Sequence, residues 1–320
     1  MDCPKCNSPV SARARYCEQC GINLEKNCDF LHQKALDFYH RGMIDAAVKV
    51  WDEAVQEDSN FSKGFYYKGL ALYDRGDLQE AIEAFRQALK GEKEPFRVYF
   101  KLGMACYGLG DLEGSIEAFQ QALKINPGSA ETTYRLGLSY LRNSDLDRAQ
   151  QTLEAAVRVN PQYTRALYIL GMVLSQKGDL DAAIAQFRKV VELSPTYTAA
   201  RFDLGMAFFK KGDLDAAAEA FQKTLETNER LASGHYMLGE CYRKMGDPSE
   251  AISAYDKVLK INPRDADALV HLAECHMQLD FLDAAREAVQ KALAINPDHR
   301  DAQYLGRHLN EMTTPHKPGF

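Results

Sequence analysis

Lys177-Gly178-Asp179-Leu180-Asp181-Ala182-Ala183 returns, residue for residue, as Lys211-Gly212-Asp213-Leu214-Asp215-Ala216-Ala217. A fixed interval such as that from Lys177 to Lys211 outranks any local signal, because each copy is one supersecondary unit that buries its apolar face only against its neighbours. Extended both ways, the frame needs no insertion or deletion and begins units at Cys28, Ser62, Phe96, Ala130, Thr164, Thr198, Ala232 and Ala266. The eight units are therefore 28–61, 62–95, 96–129, 130–163, 164–197, 198–231, 232–265 and 266–299. Residues 1–27 precede the array and 300–320 follow it.

Within each unit a helical period occurs twice, with a turn between. Position eight is always small: Ala35, Gly69, Gly103, Gly137, Gly171, Gly205, Gly239 and Ala273. Position twenty is nearly as uniform, with Ala47, Ala81, Ser115, Ala149, Ala183, Ala217, Ala251 and Ala285. Small residues on two antiparallel helices let their axes approach. Position twenty-four supplies bulk: Trp51, Phe85, Phe119, Leu153, Phe187, Phe221, Tyr255 and Val289. Gly76, Gly110, Gly178, Gly212 and Gly246 suit the left-handed residue that ends a helix, and the Asp after each of them suits a cap on the next. Asn-Pro at Asn126-Pro127, Asn160-Pro161, Asn262-Pro263 and Asn296-Pro297 closes units by barring further helix.

This pattern resembles the tetratricopeptide repeat, a unit of about 34 residues that carries Trp-x2-Leu-Gly-x2-Tyr, then Ala-x3-Phe, then Pro. Tyr99-x2-Leu102-Gly103, Leu136-Gly137-x2-Tyr140, Ala183-x3-Phe187 and Pro195 carry the match. Three units depart from it. Lys93 stands where the closing Pro belongs, Ser144 replaces a turn Gly, and Asp280-Phe281 replaces Gly-Asp, which makes the last turn the least regular. The resemblance implies an all-α fold, a right-handed α-solenoid with first helices lining a concave groove and second helices outside. Residues 300–312 continue in register and read as a capping helix, with Tyr304 and Leu305 its apolar residues; 313–320 reads as a flexible tail.

The formal charge of -6 argues against general affinity for nucleic acid or anionic membranes, and no apolar run is long enough to span a bilayer. No basic-then-apolar start follows Met1, so the expected location is cytoplasmic. Four of the eight cysteines, Cys3, Cys6, Cys17 and Cys20, crowd into the amino-terminal end of the chain. Two Cys-x2-Cys pairs suit a tetrahedral ion, and so short a segment cannot build a core without one. Two disulfides and redox thiols are the alternatives; a reducing compartment favours structural Zn2+, one ion held by four thiolates with no open position for catalysis. Residues 1–27 resemble the short zinc ribbon, with Gly21 matching it and Asn7 standing in place of its first Gly. Arg13 and Arg15, between the pairs on the expected hairpin, are a thin basis for nucleic-acid contact.

First helices carry a second apolar stripe besides the one facing the core. Position five gives Tyr66, Phe100, Tyr134, Tyr168, Phe202 and Tyr236; position nine gives Leu70, Met104, Leu138, Met172 and Met206; position twelve includes Tyr73, Tyr107 and Phe209. A helix apolar on two faces needs two partners, and the second face is where a ligand would lie. Aromatic residues at positions five and twelve are common in the resembled family whatever it binds, so position nine is the more informative; it turns polar at Glu240 and Glu274. In units two to seven the first helices sum to +7 and the second helices to -9. Arg97, Lys101, Arg135, Arg142, Arg165 and Lys210 would supply a basic inner wall. The expected partner is a protein or peptide with apolar anchors and acidic flanks, its identity unspecified, as is the oligomeric state. The Lys and Asn that clamp a chaperone's terminal carboxylate in related repeats are missing from positions five and nine.

Once the ribbon and repeats are subtracted, too little chain remains for a catalytic domain. His271 and Cys275 lie four apart on one helical face, as a metal or nucleophile pair would. Cys275 and His276 however occupy frame positions that pack inside the repeat, so a buried thiol is the preferred reading, as for Cys28, Cys106 and Cys241. The sequence thus predicts a non-enzymatic scaffold. Its rival is a regulator whose ribbon contacts nucleic acid while the repeats bind a protein.

Overall fold

The computed structural model describes residues 1–12 and 14–313, so Arg13 and the expected tail beyond residue 313 lie outside it. Among the described residues there are 17 α-helices, and no strand beyond the isolated bridges Asp2–Pro9 and Tyr16–Asn23. The chain divides into two compact units, Met1–Ala166 and Leu167–Phe320.

In the first unit the helices are α1 (Cys28–His40), α2 (Ile44–Glu57), α3 (Ser62–Arg75), α4 (Leu78–Leu89), α5 (Phe96–Leu109), α6 (Leu112–Ile125), α7 (Ala130–Arg142) and α8 (Leu146–Val159). Each packs on the next, and α1, α3, α5 and α7 also touch in succession, so first helices make one layer and second helices another. Helix α9 (Thr164–Lys177) crosses the division. The second unit continues with α10 (Leu180–Leu193), α11 (Thr198–Lys211), α12 (Leu214–Thr227), α13 (Ala232–Met245), α14 (Pro248–Ile261), α15 (Ala266–Gln278), α16 (Leu282–Ile295) and α17 (Arg300–Thr313). All eight first helices begin at frame position one.

The helix pairs close through one repeated contact. A Cβ placed on Gly69, Gly103, Gly171, Gly205 or Gly239 would stand 2.7 to 2.8 Å from the ring at position twenty-four of the same repeat. Those rings, from Phe85 to Tyr255, are 0 to 1% exposed. Each buried ring is worth about 2–3 kcal/mol of transfer free energy. Ser115, the exception at position twenty, is also buried and shares a hydrogen bond of 2.8 Å with Ser139 of the next repeat.

Turns are more regular than their sequences. Position fifteen is left-handed in every repeat: glycine in six, Ser144 at φ 61 and Asp280 at φ 62 in the others. The same amide bond, spanning five residues, closes regular and irregular turns alike, as in Asp179 N to Leu174 O at 3.0 Å and Phe281 N to His276 O at 2.8 Å. The turn of the last repeat, the least regular in sequence, therefore has the common geometry. Asp111, Asp179 and Asp213 cap the following helix as expected, and Asp145 and Asp265 cap two more. Asp77 and Asp247 make no such bond: Arg75 takes the Asp77 carboxylate, and Pro248 follows Asp247.

At the carboxyl end α17 buries Ala302, Leu305 and Leu309 against the last repeat. Tyr304 does not join them. It is 62% exposed and stacks on His308 one turn along its own helix, because its register points it away from α16.

In the first repeat Trp51 donates its indole N–H to Nδ1 of His32 at 3.0 Å, and both side chains are fully buried. The bond requires a neutral imidazole. Burial, with Lys63 nearby, lowers the His32 pKa from 6.5 to about 4. The unfolded chain therefore binds a proton that the folded one refuses.

Gly205→Ala should destabilise by about 1–3 kcal/mol, because Phe221 has no room to yield, whereas Ser144→Gly should stabilise by about 1 kcal/mol by relieving the left-handed backbone; chemical denaturation measures both. Stability from neutral His32 is complete above pH 6.5 and falls as pH drops toward 4, by about 1.4 kcal/mol per unit in that window. His32→Gln should flatten the slope of stability against pH there.

Candidate functional site

Two kinds of region have the composition of sites: the four-cysteine segment and, within each compact unit, the wall of first helices. The segment consists of one turn used twice, starting at Cys3 and again at Cys17. In the first copy the Asn7 amide donates to the Cys3 carbonyl at 2.9 Å and the Cys3 amide to the Ser8 carbonyl at 2.8 Å. In the second, Gly21 donates to Cys17 at 2.8 Å and Cys17 to Ile22 at 3.0 Å. Asn7 (φ 59) and Gly21 (φ 72) hold the left-handed residue that turns each pair back on itself. Asn fills that place because its side chain tolerates the conformation.

The turns bring all four sulfurs within 4.8 Å of one another. Cys3 Sγ lies 3.5 Å from Cys20 Sγ, and Cys6 Sγ 3.6 Å from Cys17 Sγ. A tetrahedron with arms of about 2.3 Å has edges of about 3.8 Å, so the separations suit a metal ion. They are far beyond a disulfide bond of about 2.05 Å, and every cysteine is free. The Ser8 hydroxyl, 2.9 Å from Cys6 Sγ, is 3.4 Å from Cys17 Sγ, where it leads several hydrogen bonds that lower the Cys17 pKa to about 6. Ser8 carries no spacing signal in the sequence. Cys20 moves the other way: the Ile22 amide pulls it down, but burial and the other thiols outweigh that and push it up to about 12. Four thiols this close cannot all ionise without a cation among them. Arg15 is engaged by Glu25 at 3.2 Å, which thins the expected basic patch further.

On the wall, position five is anchored from behind. Tyr66, Phe100, Tyr168, Phe202 and Tyr236 each have the position-twenty-four ring of their own repeat 5.4 to 6.0 Å away. Tyr134 differs. It is 7% exposed and belongs to the core, which corrects its assignment to the open face. Its repeat has Leu153 in place of a ring, so Tyr134 sinks inward and Tyr163 covers it at 5.1 Å. The other stripe residues, Leu70, Tyr73, Met104, Tyr107, Leu138, Met206 and Phe209, are half-buried, and Met172 is 41% exposed.

The expected cations divide. Arg97, Arg165 and Lys210 are exposed. Arg135 pairs with Glu131 at 2.7 Å. Arg142 donates to the Tyr107 carbonyl at 2.7 Å and lies over that ring at 5.0 Å, while Lys101 lies 5.9 Å from the Tyr73 ring centre. A cavity of about 310 Å³ between α3 and α5 is lined by Lys63, Tyr66, Phe96 and Arg97 together with Glu92 and Glu94, so its charge is mixed. A larger one, about 930 Å³, opens away from the stripe, between α12 and α14 over α13.

The polar end forms a network that the sequence announced only as two glutamates. Glu240 accepts two bonds of 2.9 Å from Arg243 and one of 2.6 Å from Tyr255. Burial would raise its pKa, but Arg243, Tyr255 and His271 overcome that and hold it low. His271 bonds Glu274 at 3.0 Å rather than Cys275. Cys275 is fully buried, and burial pushes its pKa up to about 11, away from a thiolate nucleophile. Cys106 and Cys241 are buried likewise, but Cys28 is only half-buried, its thiol 3.4 Å from the Ala54 carbonyl.

Family models described as tetratricopeptide repeat match residues 32–93, 66–130 and 134–198, and again 174–233 and 242–309, most of the chain. Among solved structures, the C-terminal part of a TPR repeat-containing protein from Cytophaga hutchinsonii is similar over 75% of this chain and 98% of its own, with 18% identity and a TM-score of 0.67. MamA is similar over 55% of this chain and 96% of its own, with 27% identity and a TM-score of 0.52. YrrB, described as a TPR protein with an unusual peptide-binding site, is similar over 60% of this chain and 99% of its own, with 24% identity and a TM-score of 0.55. No curated protein sequence matches the chain.

Proposed function

Since the chain belongs to the tetratricopeptide repeat family, we propose that it is a non-enzymatic scaffold that captures a peptide or protein segment on the first-helix face of its compact units. One observation carries the reading. Each first helix already gives one face to its core, yet position nine keeps an aliphatic row partly open to water, with Met172 at 41% exposure. Methionine adapts to varied apolar surfaces, as a capturing wall requires. Arg97, Arg165 and Lys210, exposed on first helices, favour acidic flanks on the captured segment. No helix among the described residues is long and apolar enough to cross a membrane.

The four cysteines, on this proposal, hold one structural zinc ion. Zinc bound there would supply folding energy and, with four sulfur ligands, no open coordination position. Cys3 and Cys17 are buried at 1 to 2% exposure, as suits an interior ion, and Cys6 faces solvent.

Affinity capture from native lysate, with a Met104→Glu, Met172→Glu, Met206→Glu variant beside the intact protein, tests the wall. Its ligands should be lost from the variant by at least about tenfold, and should elute as salt rises. Equal capture by both proteins, insensitive to salt, would refute the assignment. Elemental analysis should find one zinc per chain, and none in Cys3→Ser, Cys17→Ser protein; iron, or no metal, in the unaltered chain rules zinc out.

A further inference from the structure

Position three of the frame is buried in every repeat after the first, and where a glycine there reveals its neighbours they belong to the repeat before. Gly64, Val98, Thr132, Ala166, Ala200, Gly234 and Ala268 occupy it, and all are buried. A Cβ on Gly64 would meet Val55 of the preceding repeat at 3.2 Å, and one on Gly234 would meet Leu225 of its predecessor at 2.9 Å. The first repeat has no predecessor. Its position three is Phe30, the largest in the series, and Phe30 is nevertheless only 3% exposed.

What covers it is the cysteine segment. Phe30 shares one buried cluster with Cys3, Cys17 and Leu24, and Val10, Ala14, Cys20 and Ile22 pack around them. The connection has no slack. Leu24 is fully buried in that cluster, and its carbonyl accepts from the Asn27 amide at 3.3 Å. Asn27 then caps α1, its side chain accepting from Phe30 N at 2.9 Å and its carbonyl from Leu31 N at 3.0 Å. Two of the four buried residues in the cluster are cysteines, so the packing around Phe30 and the geometry of the sulfurs stand or fall together.

We infer that the four-cysteine segment is the amino-terminal cap of the repeat array, in which metal binding by Cys3, Cys6, Cys17 and Cys20 and folding of the first repeat form one coupled equilibrium. The inference rests on the zinc reading above. In a stack of repeats the terminal unit lacks one neighbour and frays first, so whatever seals its open face sets how far fraying runs. Holding the sulfurs in place keeps Leu24 and Phe30 covered and Asn27 at the helix start. By linkage, a folded first repeat must in turn hold the metal more tightly.

The chain contains its own reporter. Trp51 is its single tryptophan, fully buried on α2, bonded to His32 of α1 and stacked on Tyr67 of α3 at 6.2 Å, so its emission reads the first repeat and its seam with the second. The test uses the full-length protein, with zinc counted by atomic absorption before and after chelation. Removing zinc should shift Trp51 emission to the red and open it to acrylamide. Loss of helical ellipticity should not exceed what the 13 and 14 residues of α1 and α2 contribute. Zinc chloride alone should reverse both. Phe30→Ala keeps every sulfur, and should still bind zinc but surrender it to a competing chelator about tenfold more readily. Zinc leaving and returning with Trp51 unchanged, or Phe30→Ala holding zinc as tightly as the unaltered chain, would overturn the coupling and leave the zinc site standing. A chain that never takes zinc would overturn the zinc reading, and the coupling with it.

Discussion

A ring at position twenty-four lies against a helix left bare at position eight, and the rest of each compact unit is arranged around that contact. The glycine brings the ring to 2.7 to 2.8 Å from where a Cβ would stand, closer than side chains otherwise approach. Both helix axes are then fixed at a short separation, and alanine at position twenty keeps the other side of the crossing equally close. The left-handed residue at position fifteen returns the chain at the angle this crossing needs. Ser144 and Asp280 accept that conformation because the packed helices on either side leave the turn no other path.

The same contact decides which side chains of the first helices stay open to solvent. Position-five aromatics rest on the buried ring, so they are part of the packing as much as of the surface. Their presence alone says little about a ligand. Position nine also touches the core at Leu36 and Leu70, but it stays partly open throughout and reaches 41% exposure at Met172, which makes the aliphatic row there the more telling feature. Where the row ends, Glu240 and Glu274 are drawn into bonds with Arg243, Tyr255 and His271, so that end offers satisfied charges instead of apolar contact.

Departures from the frame have local compensations. Leu153 is smaller than the rings around it, and Tyr134 moves inward with Tyr163 over it. Ser115 is polar where alanine is usual, and Ser139 supplies its partner. The first repeat has no predecessor, and Phe30 fits it to the cysteine segment. Each substitution would leave a void or an unbonded polar atom if made alone.

The sequence by itself determined the helices, their pairing and the grouping of the cysteines, because an unbroken repeat period and two Cys-x2-Cys pairs are properties of spacing. It also located the apolar stripe, since a stripe is a periodicity. What only the tertiary structure decided were matters of which neighbour lies across a gap. Tyr134 is inside because Leu153 is small, and Tyr304 is outside because of how α17 turns on α16. Arg142 serves Tyr107, and Arg135 serves Glu131. His271 chose Glu274 over Cys275 although both stand on its own helix. Ser8 reached Cys17 across a turn. None of these is a matter of period, because side-chain partners are set by distance through space, and residues far apart in sequence share that distance only after the chain has packed.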